Sequence, residues 1–122
     1  DEEVTSFLIE NYRDRLISIS DAMSAAGSDE GEYLIGALEV IVKDGAARLK
    51  SNGSLAGSTL TLNRSFEELM KRALDLKDAS RVLTRNPAQA MGLNYLGEIA
   101  VGKKAQFVEV TESRFLRSLV IE

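Results

Sequence analysis

Residues 14–23 read Asp14-Arg15-Leu16-Ile17-Ser18-Ile19-Ser20-Asp21-Ala22-Met23. Leu16 to Ser20 alternate in strand fashion, with the β-branched Ile17 and Ile19 two apart, and predict a strand that runs directly into Asp21. A strand that ends in a carboxylate and is followed by a covering helix resembles one unit of an α/β barrel. In such barrels catalytic side chains project from the C-terminal ends of the strands. A carboxylate there can act as a general base toward water. Turn and N-cap aspartates are also common, so on chemistry alone both readings of Asp21 stay open.

Upstream, Val4, Phe7 and Leu8 recur at helical spacing, with Glu2 and Glu3 in the first turn where the helix dipole favours acids; they predict a helix over 2–12. Downstream, a small-residue stretch from Ala22 to Gly27 leads to an acidic loop, Ser28 to Glu32. Two strands follow, 38–42 and 46–49, joined by Lys43-Asp44-Gly45 with its Asp-Gly hairpin signal. Residues 51–58 read as a Gly/Ser loop before a second helix from about 60. In that helix Ser65-x-x-Glu68 suggests a capping box, and Phe66, Leu69, Met70, Ala73 and Leu74 form one apolar face. A third helix is expected over 77–85, ending at Asn86-Pro87; Pro87 then opens a short helical turn that Gly92 closes. Strands are expected again at 97–100, 105–110 and 116–121. These trailing strands break the strand–helix alternation, which assigns them to a separate sheet.

Composition narrows the function classes. At 122 residues, with 44% hydrophobic and 28% charged residues, one small globular domain is the default. The apolar runs are too short for a transmembrane helix, and the start Asp1-Glu2-Glu3 is the opposite of a signal peptide's basic start; a cytoplasmic protein is expected, without a membrane partner. Net charge −4 and scattered basic residues argue against nucleic acid. No cysteine and no histidine occur, which removes thiolate chemistry, the commonest general base and the usual zinc ligands; no metal site is expected within this chain.

Other motifs are weaker. Ser54 to Thr59 can present backbone N–H groups to an anion, but its composition favours a plain connection. Gly97-x-x-x-x-Gly102-Lys103 fails as a phosphate loop, because Lys104 stands where Ser or Thr is required and strand-like residues follow. Asp29, Glu30 and Glu32 lack the spacing of a calcium loop. Ser24 and Ser58 have no histidine to activate them.

Together, three stretches resemble the N-acetylglucosamine-6-phosphate deacetylases of the amidohydrolase superfamily. The first is 14–27, similar to the family's last barrel strand, which ends in Thr-Asp-Ala-Met or a close variant. The second is Gly53-Ser54-Leu55-Ala56-Gly57-Ser58-Thr59, similar to the family's Gly-Thr-Leu-Ala-Gly-Ser segment. The third is Asn86-Pro87-Ala88, then Gly97-Glu98-Ile99 and Gly102-Lys103, a pattern common to many amidohydrolases. Ser20 stands where threonine is usual, and Gln106 where aspartate is usual.

The resemblance implies an α/β fold: the C-terminal segment of a metal-dependent hydrolase TIM barrel over 1–94, and strands of a small β-sandwich over 95–122. It implies that Asp21 is the catalytic aspartate, taking a proton from metal-bound water and passing one to the departing amine. It further implies that Leu55, Ala56 and Gly57 contact the amino-sugar phosphate, in part through backbone groups. The family's metal ligands, a glutamate and two histidines, lie on earlier strands. A divalent metal of the zinc or iron class is therefore expected in the full-length enzyme and none on this chain, which alone should be inactive. A homodimer is expected by the same resemblance. The rival readings are a deacetylase for another N-acetylated sugar phosphate, such as the galactosamine epimer, and a non-catalytic interaction domain that keeps the barrel-end architecture.

Overall fold

The computed structural model describes residues 2–72, 74–111 and 114–121, with Thr111 and the strand from Arg114 described by their backbone alone. The elements run α1 (Glu2–Tyr12), β1 (Gly31–Ile35), β2 (Leu38–Lys43), β3 (Ala46–Leu49), β4 (Leu55–Ser58), α2 (Leu62–Lys71), α3 (Leu76–Leu83), α4 (Arg85–Ala90), β5 (Ala105–Thr111) and β6 (Arg114–Ile121). The chain is thus α/β, with helices and antiparallel sheets, and no closed barrel exists among the described residues. Contacts divide it into two units, one of residues 1–18 and 66–122, the other of residues 19–65.

The first unit is built on helices. Predicted α1 forms as expected, with Glu2 and Glu3 in its first turn. Ile9 buries against Phe66, Leu69, Leu74, Ala79 and Val82, and Leu16, Met70, Leu83 and Val110 pack around them. Val4, Phe7, Leu8 and Tyr12 of the same helix stay exposed. Asp75 caps α3, its carboxylate accepting the Asp78 N–H at 2.8 Å. The expected capping box at Ser65 does not form: α2 starts at Leu62, the Thr61 carbonyl accepts the Ser65 N–H, and Ser65 is buried inside the first turn. Of its predicted apolar face, Ala73 lies outside the described residues and Leu74 lies beyond the helix end.

Pro87 sits two residues inside α4 rather than at its first position. It is tolerated there because the first N–H groups of a helix have no intrahelical acceptor. α4 ends as predicted at Gly92: the Leu93 N–H donates to the Ala88 carbonyl and the Gly92 N–H to the Gln89 carbonyl, the paired bonds of a Schellman motif.

The strand expected at 97–100 is irregular chain instead, bent at Gly97 and Glu98. Gly97 has φ +87°, and a Cβ there would stand 2.9 Å from Ala88 Cβ, Arg85 Cα and the Thr84 carbonyl oxygen. Only glycine fits so close to α4. The phosphate-loop likeness dissolves with it: Lys103 donates to the Asn94 carbonyl and pairs with Glu98 at 2.8 Å. Beyond, β5 and β6 pair antiparallel, with a register shift between Glu109 and Val110.

The second unit is an antiparallel sheet of order β1-β2-β3-β4. Its predicted turn at Asp44-Gly45 joins Lys43 to Ala46, with φ +52° and +71° at the central residues as a type I′ hairpin requires. β1 was not expected; the acidic loop read over 28–32 ends early, and Gly31 and Glu32 pair with Val42 and Ile41. On the buried face Val40, Val42 and Ala47 close over Met23 and Ala25, with Tyr33, Ile35, Leu49 and Ala56 at the margin.

Residues 16–20 are the clearest departure. The alternation predicts a strand, but among the described residues no ladder includes them. A strand is defined by its partners, and periodicity does not supply them.

Candidate functional site

Asp21 stands just past the alternating segment, exposed to solvent, with φ +48°. Positive φ is uncommon for a residue with a Cβ, although aspartate is among those that tolerate it. Ser58 at the end of β4 holds this conformation from both sides. Its N–H donates to the Asp21 carbonyl at 3.0 Å, and its carbonyl accepts the Met23 N–H at 2.9 Å. These bonds form a parallel bridge between Ala22 and Ser58. The Ser20 hydroxyl also accepts the Ala22 N–H at 3.3 Å.

The Leu-Ala-Gly-Ser stretch, read as a loop, is the strand β4 itself. It pairs with β3 through Ala46–Ser58 and Arg48–Leu55, with a register shift between them. The preceding turn is closed by the Asn52 side chain, which accepts the Ser54 N–H, and by Arg48, which donates to the Gly53 carbonyl. Burial alternates along β4: Leu55 is exposed, Ala56 packs toward the sheet's apolar face, and Gly57 is exposed again.

The structure therefore brings Asp21 together with the segment carrying Leu55, Ala56 and Gly57, although 33 or more residues separate them in sequence. Sequence reasoning missed Met23 and Ser58 as the groups that make this junction. One signal was available: a glycine inside a short strand marks a bulge or the close approach of another backbone. A Cβ at Gly57 would lie 3.1 Å from Met23 Cβ.

An open depression is lined by Glu32, Tyr33, Leu34, Glu39 and Lys50, and includes none of Asp21, Leu55, Ala56 and Gly57. There the hydrogen bond to Glu32, at 2.9 Å, raises the Lys50 pKa above its ordinary value. For a metal, the chain offers carboxylates alone, and among the described residues no three of them converge. These residues do not hold a metal by themselves. Among them, too, no helix is long and apolar enough to cross a membrane.

Comparison with known proteins gives the family. The Amidohydrolase family matches residues 11–118. The N-acetylglucosamine-6-phosphate deacetylase of Vibrio furnissii is 36% identical over 99 residues, covering 80% of this chain and 25% of that protein. A putative N-acetylgalactosamine-6-phosphate deacetylase of Escherichia coli K12 is 30% identical over 112 residues, covering 90% of this chain and 66% of that protein. The crystal structure of N-acetylglucosamine-6-phosphate deacetylase from Thermotoga maritima superimposes with a TM-score of 0.90 at 28% identity, over 98% of this chain and 34% of that one. This chain thus spans 25% of the Vibrio relative and 34% of the Thermotoga structure. Its helices and sheets fit part of an amidohydrolase barrel domain. With its family match running through Asp21, β4 and α4, the chain belongs to the amidohydrolase family.

Proposed function

We propose that the whole protein hydrolyses the acetamide of N-acetylglucosamine 6-phosphate to glucosamine 6-phosphate and acetate, in cytoplasmic amino-sugar metabolism. The observation that carries this reading is the junction of Asp21 with β4, in a chain alike to such deacetylases through both segments. Water adds to the amide carbonyl, the C–N bond breaks, and the amine leaves as its proton arrives. Asp21 is the group of this chain suited to move that proton. Its carboxylate is exposed at the end of a held backbone segment and takes the proton from the attacking water. It then returns the proton to the departing nitrogen, so the aspartate ends as it began. Leu55, Ala56 and Gly57 line the sugar-phosphate side; because Ala56 turns toward the apolar core, its contribution is through the backbone.

In this reading, 1–94 is the closing part of the barrel and 95–122 belongs to a small β-sandwich. The divalent metal of such hydrolysis, of the zinc or iron class, is held by residues of the whole protein outside this chain. The 122 residues alone are inactive. The whole protein is a homodimer.

A second reading has a specific observation behind it: relatives of similar identity are named for the galactosamine epimer. Both are tested together by incubating the purified whole protein with each N-acetylated hexosamine 6-phosphate and following acetate and free amine. Equal molar release of both products, faster from the glucosamine substrate, is expected. Faster release from the galactosamine substrate exchanges the first reading for the second, and release from neither overturns both.

A further inference from the structure

We infer that Gly57 is a positioning residue: by lacking a side chain it lets β4 lock the backbone of Asp21, and so sets where the Asp21 carboxylate points. The inference rests on the reading of Asp21 as the proton carrier. It also makes a structural statement that can be tested without that reading.

The clamp works only at close range. Ser58 reaches both the Asp21 carbonyl and the Met23 N–H, so the peptide planes on either side of Ala22 are fixed against β4. To place Ser58 there, residue 57 must pass directly over Met23. A Cβ at 57 would lie 3.1 Å from Met23 Cβ, 3.7 Å from Met23 Cγ and 3.8 Å from the Asp21 carbonyl oxygen. Met23 has no room to retreat, being buried at 9% exposure against Ala25, Val40, Val42 and Ala47. Its sulfur accepts the Ala25 N–H at 3.1 Å, which fixes the side chain further. On its far side β4 is tied to β3 through Ala46 and Arg48. An added methyl group therefore acts on the Asp21–Ser58 contact, wedged between a packed core and a paired strand.

The consequence for chemistry follows from Asp21 itself. Its φ of +48° is a conformation that a residue with a Cβ leaves readily when its restraints are loosened. Departure from it swings the Cα–Cβ bond and carries the carboxylate with it. A displacement of about 1 Å at a reacting group lowers turnover by about 10²-fold. A glycine that merely touched substrate would act on binding instead. The two roles separate in kcat against KM.

The test uses the whole protein with Gly57→Ala and Gly57→Asn, assayed on N-acetylglucosamine 6-phosphate, with a crystal structure of each variant. Gly57 itself has φ +82°; asparagine tolerates positive φ but carries the same Cβ as alanine, so it separates the steric term from the backbone preference of glycine. Both variants are expected to lose kcat, beyond whatever change in KM follows from Gly57's place on the sugar-phosphate side, and Asp21 is expected to leave positive φ in both structures. Unchanged kcat in either variant, or a loss confined to KM, overturns the inference. If the unmodified protein does not turn over acetylated hexosamine phosphates, the functional reading falls alone. The Gly57 role is then decided by the crystal structures: Asp21 moved supports it, and Asp21 unmoved overturns it. The unmodified protein supplies a readout that needs no variant to fold. The Ser58 and Met23 amides must exchange slowly with deuterium, and free exchange at either contradicts the clamp.

Discussion

The stretch from Arg13 to Met23 is held at its two ends by opposite means. Near its start a buried side chain reaches in: the Asn86 amide, 7% exposed, donates to the Arg13 carbonyl at 3.1 Å and the Leu16 carbonyl at 2.7 Å. Near its end the grip is made by the backbone of Ser58, and the residue beside it contributes by having no side chain. The first arrangement ties an irregular segment to the helical unit and satisfies carbonyls that have no ladder partner. The second sets a conformation at one residue, Asp21. The Asn-Pro-Ala motif thereby gains a physical role: its asparagine is an anchor for chain rather than a ligand for substrate. Removing the first grip should cost stability, and removing the second should cost turnover.

The largest expected loss of stability lies in the helical unit, at Phe66. It is 2% exposed and central to the cluster of Ile9, Leu69, Leu74, Ala79 and Val82. Phe66→Ala in the whole protein should cost about 3–5 kcal/mol in chemical denaturation, by lost burial and the cavity left behind. A smaller loss shows that the site collapses or that this cluster is not the core of the folded whole.

Next comes the anchor. Asn86→Ala leaves the carbonyls of Arg13 and Leu16 without their donor and should cost about 1–3 kcal/mol by the same measurement. Asn86→Asp sharpens the point, since it keeps the shape but turns a carboxylate oxygen toward two carbonyls. It is expected to destabilise the protein more than the alanine change. If Asn86→Ala instead left stability intact and reduced kcat, the division between the two ends would fail.

The smallest effects are those of pH, and they fall on opposite sides of neutrality in the two units. The Lys103 hydrogen bond and charge, with Arg85 and Arg81 beyond, lower the Glu98 pKa below its ordinary value of 4.5. That contribution is fully present above 4.5 and is lost as pH falls through the lower folded value. The Glu32 hydrogen bond raises the Lys50 pKa above 10.5, so its contribution is present below 10.5 and is lost as pH rises through the folded value. Both pairs are exposed and therefore weak. Hydrogen exchange should loosen first at 95–104 in acid and at β1 and β3 in alkali. High salt should flatten both trends.

What the sequence made legible follows physical locality. The helix at 2–12 carries its own periodicity and first-turn acids; the Asp44-Gly45 turn and the stop at Gly92 carry their own backbone chemistry. Each is decided within a few residues. β4 is not legible because Leu-Ala-Gly-Ser has low strand propensity and becomes a strand by pairing with β3; β1 is not, because it begins inside the acidic loop at Gly31 and Glu32 and its start is set by pairing with β2. At 16–20 the strand pattern has no ladder among the described residues. Gly97-Glu98-Ile99-Ala100 reads as strand because its composition does not show the close approach of Gly97 to Thr84, Arg85 and Ala88. At the candidate site, Asp21 was found from position and resemblance. Met23 and Ser58 were not, since what matters in them is where their backbone lies.

The most direct test of the account is Asp21→Asn in the whole protein. The change keeps size and the tolerance of positive φ, and removes the ability to carry a proton. Turnover of N-acetylglucosamine 6-phosphate should fall by about 10²–10⁴-fold, with KM and thermal stability close to those of the unmodified protein. A variant that retains its kcat would contradict the assignment of Asp21 as the proton carrier.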